Sequence, residues 1–284
     1  MSKIYKKWRE AEIDLNKLNL DINKIISYPP AGNDVFEILY ENKNVFLKVE
    51  RSKMANFKTE YENINKIKSY YKKIPTILKY GDIDKKKYIM LSKIEGERLS
   101  DLIVENKIDS ISSYRLYGKE LALIHQIPID NFEVSKKRII NDIISFDIYK
   151  EKDDFLLKIY DYLERERTYF NDDTFIHGDF HYANILWLDG KINGVLDFEY
   201  SGKGFKEQDI AWSLIPRPSQ CYEINKDIII SFLEGYNEIG NFNYKNFLWC
   251  FINGCAHFYL MNFKNQEYKS KLQNLMVELL IENN

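Results

Sequence analysis

Residues 175–184 read Phe-Ile-His-Gly-Asp-Phe-His-Tyr-Ala-Asn, and residues 195–199 read Val-Leu-Asp-Phe-Glu. Between the two stretches, Asp189-Gly190 is flanked on both sides by apolar runs. An Asp-Gly pair in that setting is the strongest short-range signal for a β-hairpin. The sequence therefore predicts a hairpin over residues 184–197, with polar and acidic side chains at its open end.

Three oxygen-bearing side chains accompany this hairpin: Asp179 in the loop before it, Asn184 at its start and Asp197 at its end. Pairing across a turn centred on Asp189-Gly190 brings Asn184 and Asp197 to the same end of the sheet. Carboxylate and amide oxygens are ligands that Mg²⁺ prefers, commonly together with phosphate oxygens. The pattern indicates a site for Mg²⁺ and phosphate, with one carboxylate left to face a nucleophile.

The spacing from Asp179 to Asn184 is the D-x-x-x-x-N of a kinase catalytic loop. On residues 177–184, residues 196–199 and the later Asp209-Ile210-Ala211-Trp212, the chain resembles the aminoglycoside phosphotransferase and choline kinase family. That family is the small-molecule branch of the protein-kinase-like fold. The resemblance implies ATP as phosphoryl donor, with GTP not excluded, and Mg²⁺ as the metal.

The resemblance also implies roles for the residues of the motif. Asp179 is expected to orient the acceptor hydroxyl and accept its proton, while Asn184 and Asp197 are expected to bind Mg²⁺. A protein kinase would carry Arg at position 178 and Gly at position 199, whereas this chain has Gly178 and Glu199. These differences favour a small-molecule acceptor over a protein acceptor.

The family holds the α- and β-phosphates with a lysine on the third strand, and the β-rich run at residues 45–50 supplies Lys48. Strand alternation puts Phe46 on the same face, where the resemblance implies stacking on adenine. The lysine needs a carboxylate on the following helix, and Glu60 and Glu62 are both available. We prefer Glu60, because it shares a helix face with isoleucines, whereas Glu62 shares one with a lysine.

Two backbone segments complete the nucleotide site that the resemblance implies. Backbone N–H groups at Gly32 and Asn33, just before the first β-rich run, are expected to hold phosphate. Residues 92–96 resemble the family's hinge, where backbone groups of Ser92 and Ile94 are expected to contact adenine. Because side-chain identity matters little there, the hinge does not separate ATP from GTP.

The first ninety or so residues indicate a small β-rich unit. The β-rich runs at residues 35–40 and 45–50 predict one hairpin, and a second pair of runs predicts another that turns at Gly81-Asp82. Between the hairpins, a helix is expected from Ser52, as its N-cap, to about residue 72.

Beyond Gly96 the patterns are mostly helical, apart from the hairpin over residues 184–197. We therefore expect an α+β, bilobal protein-kinase-like fold. Its small N-lobe, with one long helix, is assigned to residues 1–93 and binds the nucleotide. Its large, mostly helical C-lobe is assigned to residues 94–284 and binds the acceptor, with ATP and Mg²⁺ in the cleft between them.

Composition excludes several other classes. The 284 residues include 41 basic and 43 acidic side chains, and this near-neutral balance argues against a protein that binds nucleic acid through bulk charge. Three cysteines without a CxxC motif indicate a reducing, cytoplasmic setting. The N-terminus has no apolar segment typical of a signal peptide, and the most apolar stretch, residues 247–261, is too short to span a membrane.

Several polar residues are interpreted as structural. His177 and His181 lack the further ligands of a zinc site, so His177 is expected to pack beneath the loop. Asp209 is expected to accept hydrogen bonds from the loop backbone, and His125 to be a satisfied core histidine. Glu199 is expected to point outward or to have a structural role, with an approach to a second metal as the alternative.

The proposed acceptor is an aminoglycoside or a similar amino-alcohol or sugar, which would make the chain an antibiotic-resistance enzyme. The alternatives are choline, homoserine or another metabolite as acceptor, and a catalytically silent nucleotide-binding module. The sequence does not specify the oligomeric state. Aromatic residues of the C-terminal region are expected to form helical core, with a cation–π cage for a quaternary ammonium as the alternative: Phe242, Tyr244, Phe247, Trp249, Phe251, Phe258, Tyr259 and Phe263.

Overall fold

The structure is a computed structural model that describes residues 11–18, 20, 22–29, 31–135, 153–167, 171–218, 224–262 and 264–281. The chain divides into two compact units. Unit 1 comprises Met1–Gly96 and Asn193–Tyr200, and unit 2 comprises Glu97–Ile192 and Ser201–Asn284. The segment that carries Asp197 and Glu199 therefore belongs with the N-terminal residues.

Unit 1 is built on a five-stranded antiparallel sheet whose strands are arranged in the order β1-β2-β3-β5-β4. Its strands are β1 (Ile22–Ser27), β2 (Asp34–Tyr40), β3 (Lys43–Val49), β4 (Ile77–Ile83) and β5 (Lys86–Ser92).

Alternation along β3 separates its two faces. Val45, Leu47 and Val49 are buried in the core of unit 1, whereas Phe46 and Lys48 lie half-buried on the opposite face. The β2–β3 hairpin turns through Glu41 and Asn42, which have φ angles of 48° and 59°. Positive φ at both turn residues matches the twist of the flanking strands, as in type I′ hairpins.

The second hairpin turns three residues later than the sequence predicts. Asp84 and Lys85, with φ angles of 45° and 66°, form the turn, and Gly81 lies within β4. Gly81 pairs with Tyr88 of β5, and a Cβ on this glycine would lie 3.0 Å from the Tyr88 ring. The glycine therefore leaves room for an aromatic neighbour and does not form the turn.

The helix of unit 1 is α1 (Phe57–Ile67), shorter than predicted at both ends. Ser52 is not its N-cap, because the Ser52 carbonyl accepts from Ala55 N–H in a separate turn. Asn56 precedes the helix and makes no side-chain cap hydrogen bond. The buried face of α1 includes Glu60.

Unit 2 is mostly helical. Its helices are α2 (Leu99–Val104), α3 (Ser110–Ile124), α4 (Asp154–Arg165), α5 (Lys206–Leu214), α6 (Lys226–Asn237), α7 (Tyr244–Met261) and α8 (Gln266–Ile281). Within the described residues, no helix is both long and apolar enough to cross a membrane.

Helices α3 and α6 approach each other closely at two glycines. A Cβ on Gly118 would overlap the backbone carbonyl of Phe232, and a Cβ on Gly235 would overlap that of Arg115. Because neither glycine carries a side chain, the two backbones can pack directly against each other. This contact lies next to the aromatic core of the unit, where Tyr117 packs edge-on against Phe232.

Short strands of unit 2 position the motif. Strand β6 (Glu97–Arg98) pairs with β8 (Ile185–Leu188), and β7 (Thr174–Ile176) pairs with β10 (Gly202–Gly204). The loop that carries Asp179 follows β7 and ends in a single 3-10 turn, Tyr182–Asn184. After β8, Asp189-Gly190 forms the predicted turn with φ angles of 50° and 76°, and β9 (Lys191–Val195) leads into unit 1.

Candidate active site

The first group of candidate site residues lies in unit 1 and is centred on Lys48. Its Nζ is 2.7 Å from Glu60 Oε2 and 2.8 Å from Asp197 Oδ1. The Glu60 side chain is fully buried, and that of Lys48 is 12% exposed. Of the two glutamates considered from the sequence, Glu60 contacts Lys48, whereas Glu62 lies 3.7 Å from Lys58.

Burial and charge act against each other in this group. Burial of the Lys48 ammonium acts to lower its pKa, but the carboxylates of Asp197, Glu60 and Glu199 outweigh it and raise the pKa above the ordinary value. Burial also raises the pKa of Glu60, an effect that Lys48 opposes and Asp197 reinforces. Three carboxylates thus share one buried lysine, which leaves this part of unit 1 with an excess of negative charge.

Asp197 is held by an unusual backbone. It has a φ angle of 71°, a left-handed conformation that Asp tolerates better than most residues. The segment around it is tied to the rest of unit 1 by Val195 N–H, which donates to the Lys73 carbonyl at 2.8 Å. Its side chain remains 30% exposed, so the carboxylate can also meet a ligand.

Glu199 is buried in the same unit, with 6% of its surface exposed. Its Oε2 accepts from the backbone N–H of Asn56 at 3.0 Å. Burial raises the pKa of Glu199 to about 7, and the neighbouring charge of Asp197 adds to that rise. Of the roles considered from the sequence, a structural one fits these contacts and an outward orientation does not.

The second group of candidate site residues lies in unit 2 and is centred on Asp179, which is 8% exposed. Trp212 Nε1–H donates to Asp179 Oδ1 at 2.8 Å. The guanidinium of Arg217 lies 3.7 Å from the same oxygen and stacks 4.2 Å from the centre of the Trp212 ring. A hydrogen-bond donor and a positive charge therefore hold Asp179 as an oriented carboxylate.

Asn184 is oriented by the loop itself. Its Nδ2 donates to the backbone carbonyl of Asp179 at 3.1 Å, and its own N–H donates to the His181 carbonyl at 2.7 Å. With the amide nitrogen used in this way, the side-chain oxygen is the atom that can coordinate a cation.

Asp209 supports the base of the loop, as the sequence predicts. Its carboxylate accepts from the backbone N–H groups of His177 and Gly178 at 2.7 and 3.0 Å. His125 is also buried as predicted, between Asp209 Oδ2 at 3.2 Å and the Tyr236 hydroxyl at 2.7 Å. These contacts hold the loop backbone directly before Asp179.

The two loop histidines have local structural contacts. His177 Nδ1 accepts from Asp179 N–H, and His181 Nδ1 accepts from Ala183 N–H, each at 3.2 Å. His177 is fully buried beneath the loop, as expected from the sequence.

Among the residues expected in the phosphate loop and the hinge, some polar groups already have hydrogen-bond partners within the protein. Asn33 is buried and its Oδ1 accepts from the backbone N–H groups of Arg51 and Ser52, so its side chain braces the chain after β3. A Cβ on Gly32 would meet nothing within 4 Å. Ser92 N–H donates to the Thr76 carbonyl, so a backbone contact of Ser92 with a base would have to use the Ser92 carbonyl oxygen.

Phe46 and Ile94 are half-buried in unit 1. Phe46 pairs with Leu91 across β3 and β5 and lies on the same face as Lys48. The predicted adenine contacts of Phe46 and Ile94 remain predictions.

Sequence reasoning missed the contacts that Trp212 and Arg217 make with Asp179. A signal was present for Trp212, because a residue three positions after Asp209 on a helix lies on the same face. Asp209 supports the loop, so its helical neighbour can reach the same loop. No pattern marked Arg217, which follows α5 in an irregular segment.

A family model, a protein of known activity and solved structures all match this chain. The model of the phosphotransferase enzyme family (APH) matches residues 29–244. An aminoglycoside 3'-phosphotransferase of Enterococcus faecalis is 24% identical over 195 residues, which cover 63% of this chain and 73% of that protein.

Solved structures with similar folds include a thermostable mutant of aminoglycoside phosphotransferase APH(4)-Ia in a ternary complex with ADP and hygromycin B. It has a TM-score of 0.63 and 13% identity, with 90% of this chain and 93% of that one covered. The gentamicin complex of APH(2")-IIa has a TM-score of 0.59 and 15% identity, with 94% and 97% covered. These likenesses confirm the predicted α+β protein-kinase-like fold.

Proposed function

The chain belongs to the phosphotransferase enzyme family, and from that premise we propose that it transfers the γ-phosphoryl group of ATP to a hydroxyl group of an aminoglycoside or a similar amino-alcohol. The observation that carries this proposal is the buried Asp179 carboxylate, fixed by Trp212 and Arg217 in the loop where the family motif has its catalytic aspartate. A fixed carboxylate can orient an acceptor hydroxyl and accept its proton as the oxygen attacks phosphorus.

Lys48 is proposed to hold the α- and β-phosphates, with Glu60 keeping the ammonium in place. Such a charge is useful because phosphoryl transfer depends mainly on positioning and on neutralising phosphate charge. Gly32 and Asn33 are proposed to contribute backbone N–H groups, and Ser92 and Ile94 to contribute backbone contacts to adenine. The nucleotide is ATP in this proposal, with GTP as the alternative.

The residues present fit a Mg²⁺ ion. Asp197 and Asn184 offer carboxylate and amide oxygens, which suit a hard cation, and we propose them as its ligands. Burial, and after it the neighbouring charge of Asp197, raises the pKa of both Glu60 and Glu199, and a cation bound at Asp197 would offset the charge part of that effect. When bound, Mg²⁺ would neutralise charge on the phosphates.

The acceptor class is supported by relatives. The Enterococcus faecalis relative is an aminoglycoside 3'-phosphotransferase, and solved structures with the same fold hold hygromycin B or gentamicin. A quaternary-ammonium acceptor has less support, because Phe247, Trp249 and Phe251 are buried as helical core and are not arranged as an open cage. Choline, homoserine and other metabolites remain the alternative acceptors.

The test is a screen for ADP release with ATP and Mg²⁺ over aminoglycosides, choline, ethanolamine, homoserine and sugars. We expect acceptor-dependent ADP release with an aminoglycoside, and phosphorylated product by mass spectrometry. The same screen on the Asp179→Asn variant gives the background. Strongest turnover with choline or homoserine would reject the acceptor class, and ATP binding without turnover of any acceptor would favour a silent nucleotide-binding module.

A further inference from the structure

We propose that Glu199 is a positioning residue that ties the start of α1 to the segment carrying Asp197 and thereby holds Glu60 against Lys48. This inference rests on the proposed function, because it concerns the residues that are proposed to hold ATP. All the contacts involved lie within unit 1.

The contact between Glu199 and Asn56 lies at the start of α1, where a helix needs a hydrogen-bond acceptor for its first N–H groups. The first backbone N–H groups of a helix have no partner within the helix, and a side chain at the N-cap commonly supplies one. Asn56 occupies that position but makes no side-chain cap hydrogen bond. Glu199 instead accepts the Asn56 N–H at 3.0 Å, from a segment 143 residues away in sequence.

The tie closes a ring of interactions. Glu60 N–H donates to the Asn56 carbonyl at 3.1 Å, so Glu60 lies one helical turn after the tied residue. The Glu60 side chain then contacts Lys48, and Lys48 contacts Asp197, two residues before Glu199. A change in the Glu199 contact is therefore transmitted along α1 to the lysine's partner.

A second contact runs in parallel. The hydroxyl of Tyr200 donates to the Met54 carbonyl at 3.0 Å, so two consecutive side chains of this segment hold residues 54–56. Of these two contacts, only the one made by Glu199 engages the residue directly before α1. A buried carboxylate is costly without a hydrogen bond, which indicates that the acceptor oxygen is the useful part of Glu199.

The experiment compares two substitutions of similar volume. Glu199→Gln keeps an oxygen that accepts the Asn56 N–H, whereas Glu199→Met fills the same space without an acceptor. We expect Glu199→Met to weaken ATP–Mg²⁺ binding about tenfold in titration calorimetry, the equivalent of one lost buried hydrogen bond. Glu199→Gln should stay within about twofold of the unsubstituted protein.

A double-mutant cycle separates positioning from general destabilisation. If Glu199 acts through Glu60, Glu199→Met should add little to the loss caused by Glu60→Gln. Glu207 provides a matched control, because it is also a buried glutamate and accepts the backbone N–H of Asn243, the N-cap residue of α7, at 2.8 Å. Glu207→Met should lower Tm but leave the affinity for ATP unchanged.

Two results would overturn the inference. The first is that the losses of ATP affinity caused by Glu199→Met and Glu60→Gln multiply in the double variant, as for independent residues. The second is that Glu199→Gln binds ATP as weakly as Glu199→Met. Binding is measured by calorimetry without turnover, so failure of the proposed acceptor reaction is seen separately in the ADP-release screen. If Glu199→Met does not fold, the comparison of Glu199→Gln with Glu60→Gln still decides, because the inference requires the first to be mild and the second severe.

Discussion

Trp212 Nε1–H donates a 2.8 Å hydrogen bond to Asp179 Oδ1, and both side chains are buried in unit 2. Helix α5 therefore contacts the loop that carries Asp179 at two points. Asp209 fixes the loop backbone, and Trp212, one turn later, fixes the side chain that the loop presents. The orientation of the Asp179 carboxylate is therefore set by a contact with helix α5 as well as by the loop itself.

Trp212→Phe should lower kcat about tenfold or more while leaving the KM for ATP unchanged. The substitution keeps an aromatic ring for Arg217 but removes the N–H donor, and a hydrogen bond to a charged group contributes about 1.5–3 kcal/mol. Steady-state ADP release checks this. Trp249→Phe is the matched control, because Trp249 is equally buried and donates to the Leu163 carbonyl in the helical core. Equal losses of kcat in both variants would contradict the role of Trp212.

Asp179→Asn should lower kcat by about 10²–10⁴, the usual contribution of a positioned general base. Binding of ATP–Mg²⁺, measured by calorimetry, should be retained, because Lys48 and Glu60 are unchanged. A variant that turns over at the original rate would show that another group accepts the proton.

Lys48→Met should abolish most ATP binding and also destabilise the fold. Removing one partner of a buried ion pair costs about 3–5 kcal/mol, because the other charge is left without compensation. The double variant Lys48→Met/Glu60→Gln removes the lysine together with its fully buried partner but leaves Asp197, so we expect it to regain part of the stability in urea unfolding but not ATP binding. Recovery of binding in the double variant would exclude a direct role for Lys48.

The sequence was most informative where periodicity and motif spacing agree. Alternation placed Phe46 and Lys48 on one face of β3, and the motif spacing indicated the loop of Asp179 and Asn184. The shared face of Glu60 with apolar residues identified it as the partner of Lys48. Each of these predictions depends on periodicity or spacing within one element or one turn.

Features decided by a competing local turn or by a residue outside the element were not predictable. The Gly81-Asp82 pair has the composition of a turn, but Tyr88 across the strand makes Gly81 a strand residue. Ser52 has the composition of a cap, but its carbonyl closes a separate turn. The contact of Glu199 with Asn56 joins residues far apart in the chain, which no local pattern encodes.

Gly118→Ala should destabilise the protein by about 1–3 kcal/mol or more, because the added methyl group would overlap the Phe232 carbonyl where α3 meets α6. The free energy of unfolding in urea checks this. Gly32→Ala is the control, since its methyl group would meet nothing within 4 Å. A Gly118→Ala variant that is no less stable than Gly32→Ala would contradict the close approach of α3 and α6 at this glycine.

His257 should make stability fall as the pH drops below about 6.5. Burial lowers the pKa of His257 from its ordinary value of 6.5, so the folded protein favours the neutral ring. Its contribution is present above that value and is lost as the pH falls through the lowered pKa. His257→Gln should flatten this part of the curve of unfolding free energy against pH. An unchanged slope in the variant would assign the acid sensitivity to other groups.

The assignment of residues 193–200 to unit 1 has a consequence for the order of biosynthesis. The first 96 residues leave the ribosome without the segment that supplies Asp197 to Lys48 and Glu199 to Asn56. Domains generally fold as units during synthesis, N-terminal ones first. Here the N-terminal unit can complete its contacts only after about a hundred residues of its neighbour have been translated, so a nascent chain stalled before residue 193 would expose an unfinished N-terminal unit.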